Sequence, residues 1–297
     1  FKLDMRRNYQ AYLMILPSVL LIAVFSYFPT YGIILAFKKF KPAMGVFGSP
    51  WVGLKHFRDF LGSPNLPRLV RNTLAISLYT LAVGYPLPIV LALLLNEVGC
   101  LPFKKTVQTI VYLPHFISWV ILANIISSML GAKGIYNLVR TSLGMEQFLP
   151  MGDPNGFQGL LIGTDVWKEF GYNAVIYLAA LTGISPSLYG AAAIDGAGRW
   201  KQTLHVTIPG LIPTVVLLST LAMGNVLNAG FDQVFNMYNQ LVISTADIID
   251  TYVYRIGITN MQFSLGTAAG LFKSVVSLIL VVISYSLAYK FADYSIF

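Results

Sequence analysis

Five stretches of this chain contain no Asp, Glu, Lys or Arg: residues 8–37, 72–96, 106–132, 170–194 and 202–231. A sixth, 256–289, contains Lys273 as its one charge. A helix rises about 1.5 Å per residue, so about 20 residues cross a hydrocarbon core of roughly 30 Å. Each stretch is long enough, and none shows the short, even alternation of barrel strands. Helices are then the way to satisfy backbone polar groups in lipid. The spacing predicts an all-α integral membrane protein, a single transmembrane domain over 1–297, with six spans at 11–36, 73–96, 108–130, 159–183, 209–230 and 266–290.

Composition agrees. Charged residues make up 11% of the chain, against about 25% in a soluble domain. Hydrophobic residues make up 56% and mean hydropathy is +0.68. A soluble or a disordered chain is excluded. The net charge of +8 belongs to loops and span ends facing lipid headgroups, and points to no nucleic acid. A single Cys, Cys100, excludes a disulfide framework. His56, His115 and His205 are scattered and read as ordinary polar residues, not as a metal set. The chain starts at Phe1 and not at Met, so sequence upstream of it is expected. Its first apolar run is too long for a signal peptide and holds Pro17 and Pro29, which favours an uncleaved span.

Six spans place both ends on one side, and basic residues do not say which. Lys2, Arg6, Arg7, Lys104, Lys105, Arg199, Lys201 and Lys290 fall on one side. Lys38, Lys39, Lys41, Lys55, Arg58, Arg68, Arg71, Lys133, Arg140 and Arg255 fall on the other. The near balance decides nothing. Residues 52–61 are amphipathic and suit a helix at the membrane interface.

The loop 185–208 is the most informative segment. Ser185 can cap a helix whose first turn takes Pro186. Ala191, Ala192, Ala193 and Ile194 continue it, and Gly196 can end it in a left-handed turn. Trp200, Leu204 and Ile208 recur every four residues and predict a second short helix, after which Pro209 opens the fifth span. The result is a compact elbow with a small-residue face.

This loop resembles that of the membrane-spanning permease subunits of ATP-binding-cassette importers, in their carbohydrate-uptake branch. The family pattern runs Glu-Ala-Ala-x-x-Asp-Gly-Ala, then a spacer, then a Pro-containing helix start. Ala191, Ala192, Asp195, Gly196 and Ala197 match, with Pro209 and Pro213 downstream, and Arg199 follows within the loop. Gly190 stands where the family has Glu, which puts a Glu-mediated link to the partner ATPase in doubt at this subunit. Asn72 and Thr73, Tyr112 to Pro114, Trp167 and Lys168, and Tyr177 to Ala180 also look alike, so the resemblance covers about residues 10–295. More narrowly, residues 189–201 look like the permeases for oligo- and polysaccharides, alginate among them.

The resemblance implies a mechanism and a set of partners. Residues 185–208 would be the coupling loop, contacting an ATPase through Gly190, Ala191, Ala192, Asp195, Gly196, Ala197 and Arg199. Two cytoplasmic ATPase subunits would bind ATP and Mg, with no cofactor held by this chain. A second, different permease chain and an extracytoplasmic solute-binding protein would complete the importer. The chain would lie in a bacterial cytoplasmic membrane, multi-pass, with both termini and the loop cytoplasmic.

Polar groups inside spans mark the path. Asp165, Glu169, Asn173 and Tyr177 follow at intervals of four and share one helix face, with Trp167, Lys168 and Tyr172 beside them. The fifth span offers Ser219, Thr220, Asn225 and Asn228, the sixth Lys273, Ser274 and Ser277. Sugars need planar and amide hydrogen-bond partners and an aromatic surface, so Trp167, Glu169, Tyr172, Asn173, Tyr177, Asn225, Asn228 and Lys273 are the substrate-path candidates. Each has a plainer reading. Trp167 and Tyr172 suit an interfacial aromatic belt, and Asn225 and Asn228 suit interhelical bonds. Lys168 suits an ion pair at the water interface with Asp165 or Glu169. Lys273 is the best candidate for a lumen charge, which would favour an anionic sugar such as a uronate. Gly266 and Gly270 form a GxxxG, suited to close packing, against the second permease for instance.

Two other functions compete. An ion-coupled secondary transporter would need coupling-ion sites and internal repeats, and none is evident. An intramembrane enzyme would need paired catalytic groups at membrane depth, and none is present. A phosphate-binding Gly-x-x-x-x-Gly-Lys motif is also lacking, so ATP hydrolysis would fall to other subunits.

Overall fold

The computed structural model describes residues 7–224 and 226–292. Every regular element among them is helical, apart from one isolated bridge between Lys38 and Trp51. Among the described residues, five helices are long and apolar enough to cross a membrane: Tyr9–Phe37, Leu66–Glu97, Trp119–Ser142, Arg199–Gly224 and Phe263–Ser286. A sixth is obtained when Phe157–Thr182 and Pro186–Ile194, bent by 69° at their junction, count as one span. The chain divides into two compact units, Phe1–Ser63 with Val253–Phe272, and Pro64–Tyr252 with Lys273–Phe297.

In the first unit, α1 (Tyr9–Ile22) runs into a π turn at Ala23–Tyr27 and a 3₁₀ stretch at Phe28–Phe37. Pro29 has no N–H to offer the Phe25 carbonyl, so the helix widens and then tightens around it. Helix α2 (Lys55–Leu61) realises the amphipathic segment, with Phe60 fully buried against the Phe272 ring at 5.6 Å. Ser264 ties residue 38 to the last helix: its hydroxyl donates to the Lys38 carbonyl at 2.6 Å and accepts from Phe40 N at 3.0 Å. Gly266 of the GxxxG faces Gly257, whose Cα lies 2.7 Å from where a Cβ would stand. Its close partner is thus within the chain.

The second unit is built on α8 (Phe157–Thr182). Before it come α3 (Leu66–Gly84), α4 (Pro86–Glu97), α5 (Leu101–Tyr112), α6 (Trp119–Leu130) and α7 (Ile135–Ser142). After it come α9 (Pro186–Ile194), α10 (Arg199–Gln202), α11 (Ile208–Gly224), α12 (Phe231–Met237), α13 (Ile243–Ala246) and α14 (Ile249–Tyr254). Helix α15 (Phe263–Ala292) starts in the first unit and ends in the second. One end of α8 supplies Phe157 and Leu161 to a cluster with Ile76, Ala123, Val234 and Met237. The other end supplies Ala174, Tyr177 and Leu181 to a cluster with Ala92 and Leu211.

Lipid tails are as apolar as these side chains, so shape and polar ties must hold the bundle. Gly171 is the closest fit: a Cβ there would stand 2.0 Å from the Val111 carbonyl oxygen of α5. Asn72 and Thr73, both fully buried, anchor the segment before α14. Asn72 Nδ2 donates to the Ser244 and Asp247 carbonyls at 3.1 Å each, and Ile249 N donates to Thr73 Oγ1 at 3.0 Å. Gln233 Nε2 reaches across to the Leu161 carbonyl at 2.7 Å and to Thr164 Oγ1 at 2.8 Å.

Three span boundaries differ from expectation. The predicted third span, 108–130, is broken by a 3₁₀ turn at Leu113–Phe116. Pro114 has no N–H for a helical bond, and Ser118 starts a new helix by capping the Ile121 N–H. The second span starts at Leu66, seven residues before 73. The predicted separate helix over Trp200–Ile208 is instead the first part of the fifth span, Arg199–Gly224, joined through a π turn at Thr203–Thr207. Pro209 leaves the His205 carbonyl without its helical donor, and widening the turn absorbs that loss without a break.

Candidate functional site

Asp165, Glu169, Asn173 and Tyr177 all line one cavity of about 200 Å³, closed by Thr80, Tyr85 and Leu218. The interval of four along α8 thus does what helical geometry requires, stacking four polar groups on one wall. Tyr85 is held in place by its hydroxyl, which donates to the Leu218 carbonyl at 2.7 Å. A second cavity of about 290 Å³ shares Thr80, Leu81 and Asp165 with the first and adds Ser77, Asn228 and Gln233. Asp165 therefore stands where the two spaces meet. Among the described residues, the two linings together hold carboxylates and amides, with phenols in the first alone, and no Lys or Arg.

The other path candidates fall elsewhere. Trp167 and Tyr172 are exposed and line neither cavity. Asn225 lies outside the described residues. Lys273 Nζ donates to both Asp250 carboxylate oxygens at 2.6 Å and to Asn228 Oδ1. It is thus one half of an ion pair, not a bare lumen cation, and the local field is that of a neutral couple. Lys168 is only 5% exposed, buried among its neighbours. It is paired with Glu169 at 2.9 Å, as one of its two expected partners.

The elbow follows α8 directly. Helix α9 begins with Pro186 in its first turn, while the Ser185 hydroxyl bonds Ser187 and not the backbone. It ends at Gly196, whose φ of +73° lies in the left-handed region that suits glycine. Gly196 N donates to the Ala193 carbonyl at 3.0 Å and Ala197 N to the Ala192 carbonyl at 2.8 Å, the paired bonds of a Schellman turn. The elbow is tied to the fifth span by Tyr189 OH and Thr207 Oγ1 at 3.0 Å, and by Gln202 Nε2 donating to the Ala197 carbonyl at 2.9 Å. Beneath it lies a polar recess of about 360 Å³ that Glu97, Tyr189 and Arg199 share.

Its outer surface carries two large, open apolar side chains. Ile194 is 88% exposed and Trp200 76% exposed, with Gly190, Ala191 and Asp195 also open. Ala192 and Ala197 are half-buried, and Arg199 is exposed. A Cβ at Gly190 would meet nothing within 4 Å, so no clash keeps a larger side chain from that position.

A family model described as binding-protein-dependent transport system inner membrane component matches residues 84–293. The chain belongs to that family. Its membership decides against the ion-coupled carrier, and the family is one of transport permeases. The permease is 40% identical over 294 residues to Protein LplB of Bacillus subtilis (strain 168), covering 99% of this chain and 92% of that one. It is 42% identical over 287 residues to the polygalacturonan/rhamnogalacturonan transport system permease protein YteP of the same organism, covering 96% and 89%. Among solved structures, a chain of a bacterial ABC transporter involved in the import of the acidic polysaccharide alginate superposes with a TM-score of 0.89 at 36% identity, covering 97% of this chain and 98% of that one. A bacterial alginate ABC transporter in complex with an alginate pentasaccharide-bound periplasmic protein gives 0.89 at 35%, covering 99% and 98%.

His115 is a neighbour of the cavity residue Glu169 that sequence reasoning missed. Read as an ordinary polar residue, it lies against α8, with Nδ1 2.7 Å from Glu169 Oε2 and its ring stacked on Tyr172 at 3.8 Å. Fifty-four positions separate it from Glu169, so no local period could join them. The one hint was Pro114, which marks a break in the span.

Proposed function

We propose that the chain forms half of the translocation path of an ATP-driven importer for an oligosaccharide or polysaccharide. Two separate cytoplasmic ATPase subunits, binding ATP and Mg, drive it through residues 185–208. A second, different permease chain forms the other half, and an extracytoplasmic binding protein delivers the sugar. The protein is multi-pass in a bacterial cytoplasmic membrane, with both termini and the elbow on the cytoplasmic side. The observation that carries this reading is the exposed apolar elbow, closed by Gly196 and set directly after the helix whose other face lines the cavity. Ile194 and Trp200 gain from cover by a partner's groove, and Gly190, Ala191 and Ala192 let that partner come close. A push on α9 reaches the fifth span through Tyr189 and Gln202. The sugar class is supported by the polysaccharides named for the relatives. The acidic linings add that sugar hydroxyls, as donors, would meet acceptor groups.

The test is reconstitution in proteoliposomes with the partner permease, both ATPases and the binding protein. Uptake of a labelled oligosaccharide that needs internal ATP and the external binding protein is the expected result. Uptake driven by an ion gradient without ATP, or a purified complex in which Ile194 and Trp200 cross-link to no ATPase, refutes it.

A further inference from the structure

His115 makes three contacts with α8 from the break in the third span. Its Nδ1 lies 2.7 Å from Glu169 Oε2. Its carbonyl accepts from Lys168 Nζ at 2.8 Å. Its ring lies over Tyr172 with centroids 3.8 Å apart and planes 1° from parallel. Phe116 closes the group edge-on, 5.3 Å from the His115 ring and 6.2 Å from Tyr172. Lys168 completes it from behind, 2.9 Å from Glu169 Oε1 and 5.6 Å over the Trp119 ring.

Two features separate His115 from Lys168. Lys168 is buried, as a purely structural tie would be, whereas the side chains of His115 and Glu169 are each 29% exposed. A polar pair left open at membrane depth is costly unless it faces a water-filled space. Glu169 also lines the cavity that holds Asp165, Asn173 and Tyr177. A carboxylate has about four acceptor positions; Lys168 and His115 use one on each oxygen, and the others are left for donors arriving in the cavity.

We infer that His115 is a positioning residue for substrate, resting on the sugar-import reading above. It holds the Glu169 carboxylate at one angle, so that its remaining acceptor positions meet the hydroxyl groups of a sugar, and its own ring is held by stacking on Tyr172 outside the cavity. The break at Pro114 is what lets it do so, because a continuous helix would carry position 115 onward along the helical turn instead of turning it onto α8. His115 itself touches no sugar.

The experiment uses the complete complex in proteoliposomes, with labelled alginate pentasaccharide, oligogalacturonate and maltotriose as probes. His115→Ala is expected to raise the half-saturating concentration of the transported probe about tenfold, the scale of one lost hydrogen bond to a charged group, with a smaller change in maximal rate. His115→Asn, which can still donate to Glu169, and His115→Phe, which can still stack on Tyr172, should each restore part of the affinity. An unchanged half-saturation in His115→Ala overturns the inference, as does a fall in thermal stability or maximal rate alone. Failure of the unsubstituted complex to take up any of the three sugars overturns the sugar reading, and this inference with it.

Discussion

The cavity wall and the elbow, joined end to end through α8 and α9, are built on opposite terms. Behind the cavity wall, charges are matched: Lys168 with Glu169, Lys273 with Asp250. Backbones approach until only glycine fits, as at Gly171. The elbow has few tertiary ties, open apolar side chains and a single demanding backbone position, Gly196. A region finished within the chain hides its chemistry in distant partners. A region finished by another subunit displays it on the surface, in consecutive residues.

That contrast can be broken most forcefully at the wall. Lys168→Met removes the buried half of a partly open pair and takes the cation from Glu169 and the His115 carbonyl, a loss of about 2–3 kcal/mol. Thermal unfolding of the purified complex should fall accordingly, and an unaltered transition would show the wall to be less tightly matched than described. Gly171→Ala sets a methyl against the Val111 carbonyl and should cost about 1–3 kcal/mol by the same measurement. Gly196→Val acts at the elbow. A β-branched residue in the left-handed region costs about 1–3 kcal/mol locally, and the expected result is ATP hydrolysis that no longer drives uptake. Sugar-stimulated hydrolysis and uptake that stay in proportion would sink the coupling role. Ile194→Ser should leave stability within about 0.5 kcal/mol, as an exposed site, while weakening co-purification of the ATPase. If stability falls and co-purification does not, the elbow is finished within the chain after all.

The spans were legible because lipid admits few solutions: charge-free runs of sufficient length become helices. Their ends were less so. Pro114 breaks a run whose composition gives no warning, whereas Pro209 lies inside a helix that bends around it, and sequence does not tell these two prolines apart. The column Asp165, Glu169, Asn173 and Tyr177 could be foreseen because its period is that of the helix. The Gly196 turn could be foreseen because few residues accept its backbone angles. Lys273 looked like a free charge because Asp250 lies 23 residues away, and His115 looked idle for the same reason. Pairings of that kind depend on how helices lie beside each other, which no local pattern encodes.

The first helix has a practical bearing on handling the protein. Of its 29 residues, Tyr9–Phe37, the apolar window is 0% buried, with Met14, Phe25 and Phe28 among the most open side chains. Extracted by itself, such a rod needs a thick collar of amphiphile along its length, and purification of this subunit alone should give polydisperse, short-lived particles. Co-expression with its natural neighbours, and mild surfactants or nanodiscs throughout, is the way to keep it in a measurable form.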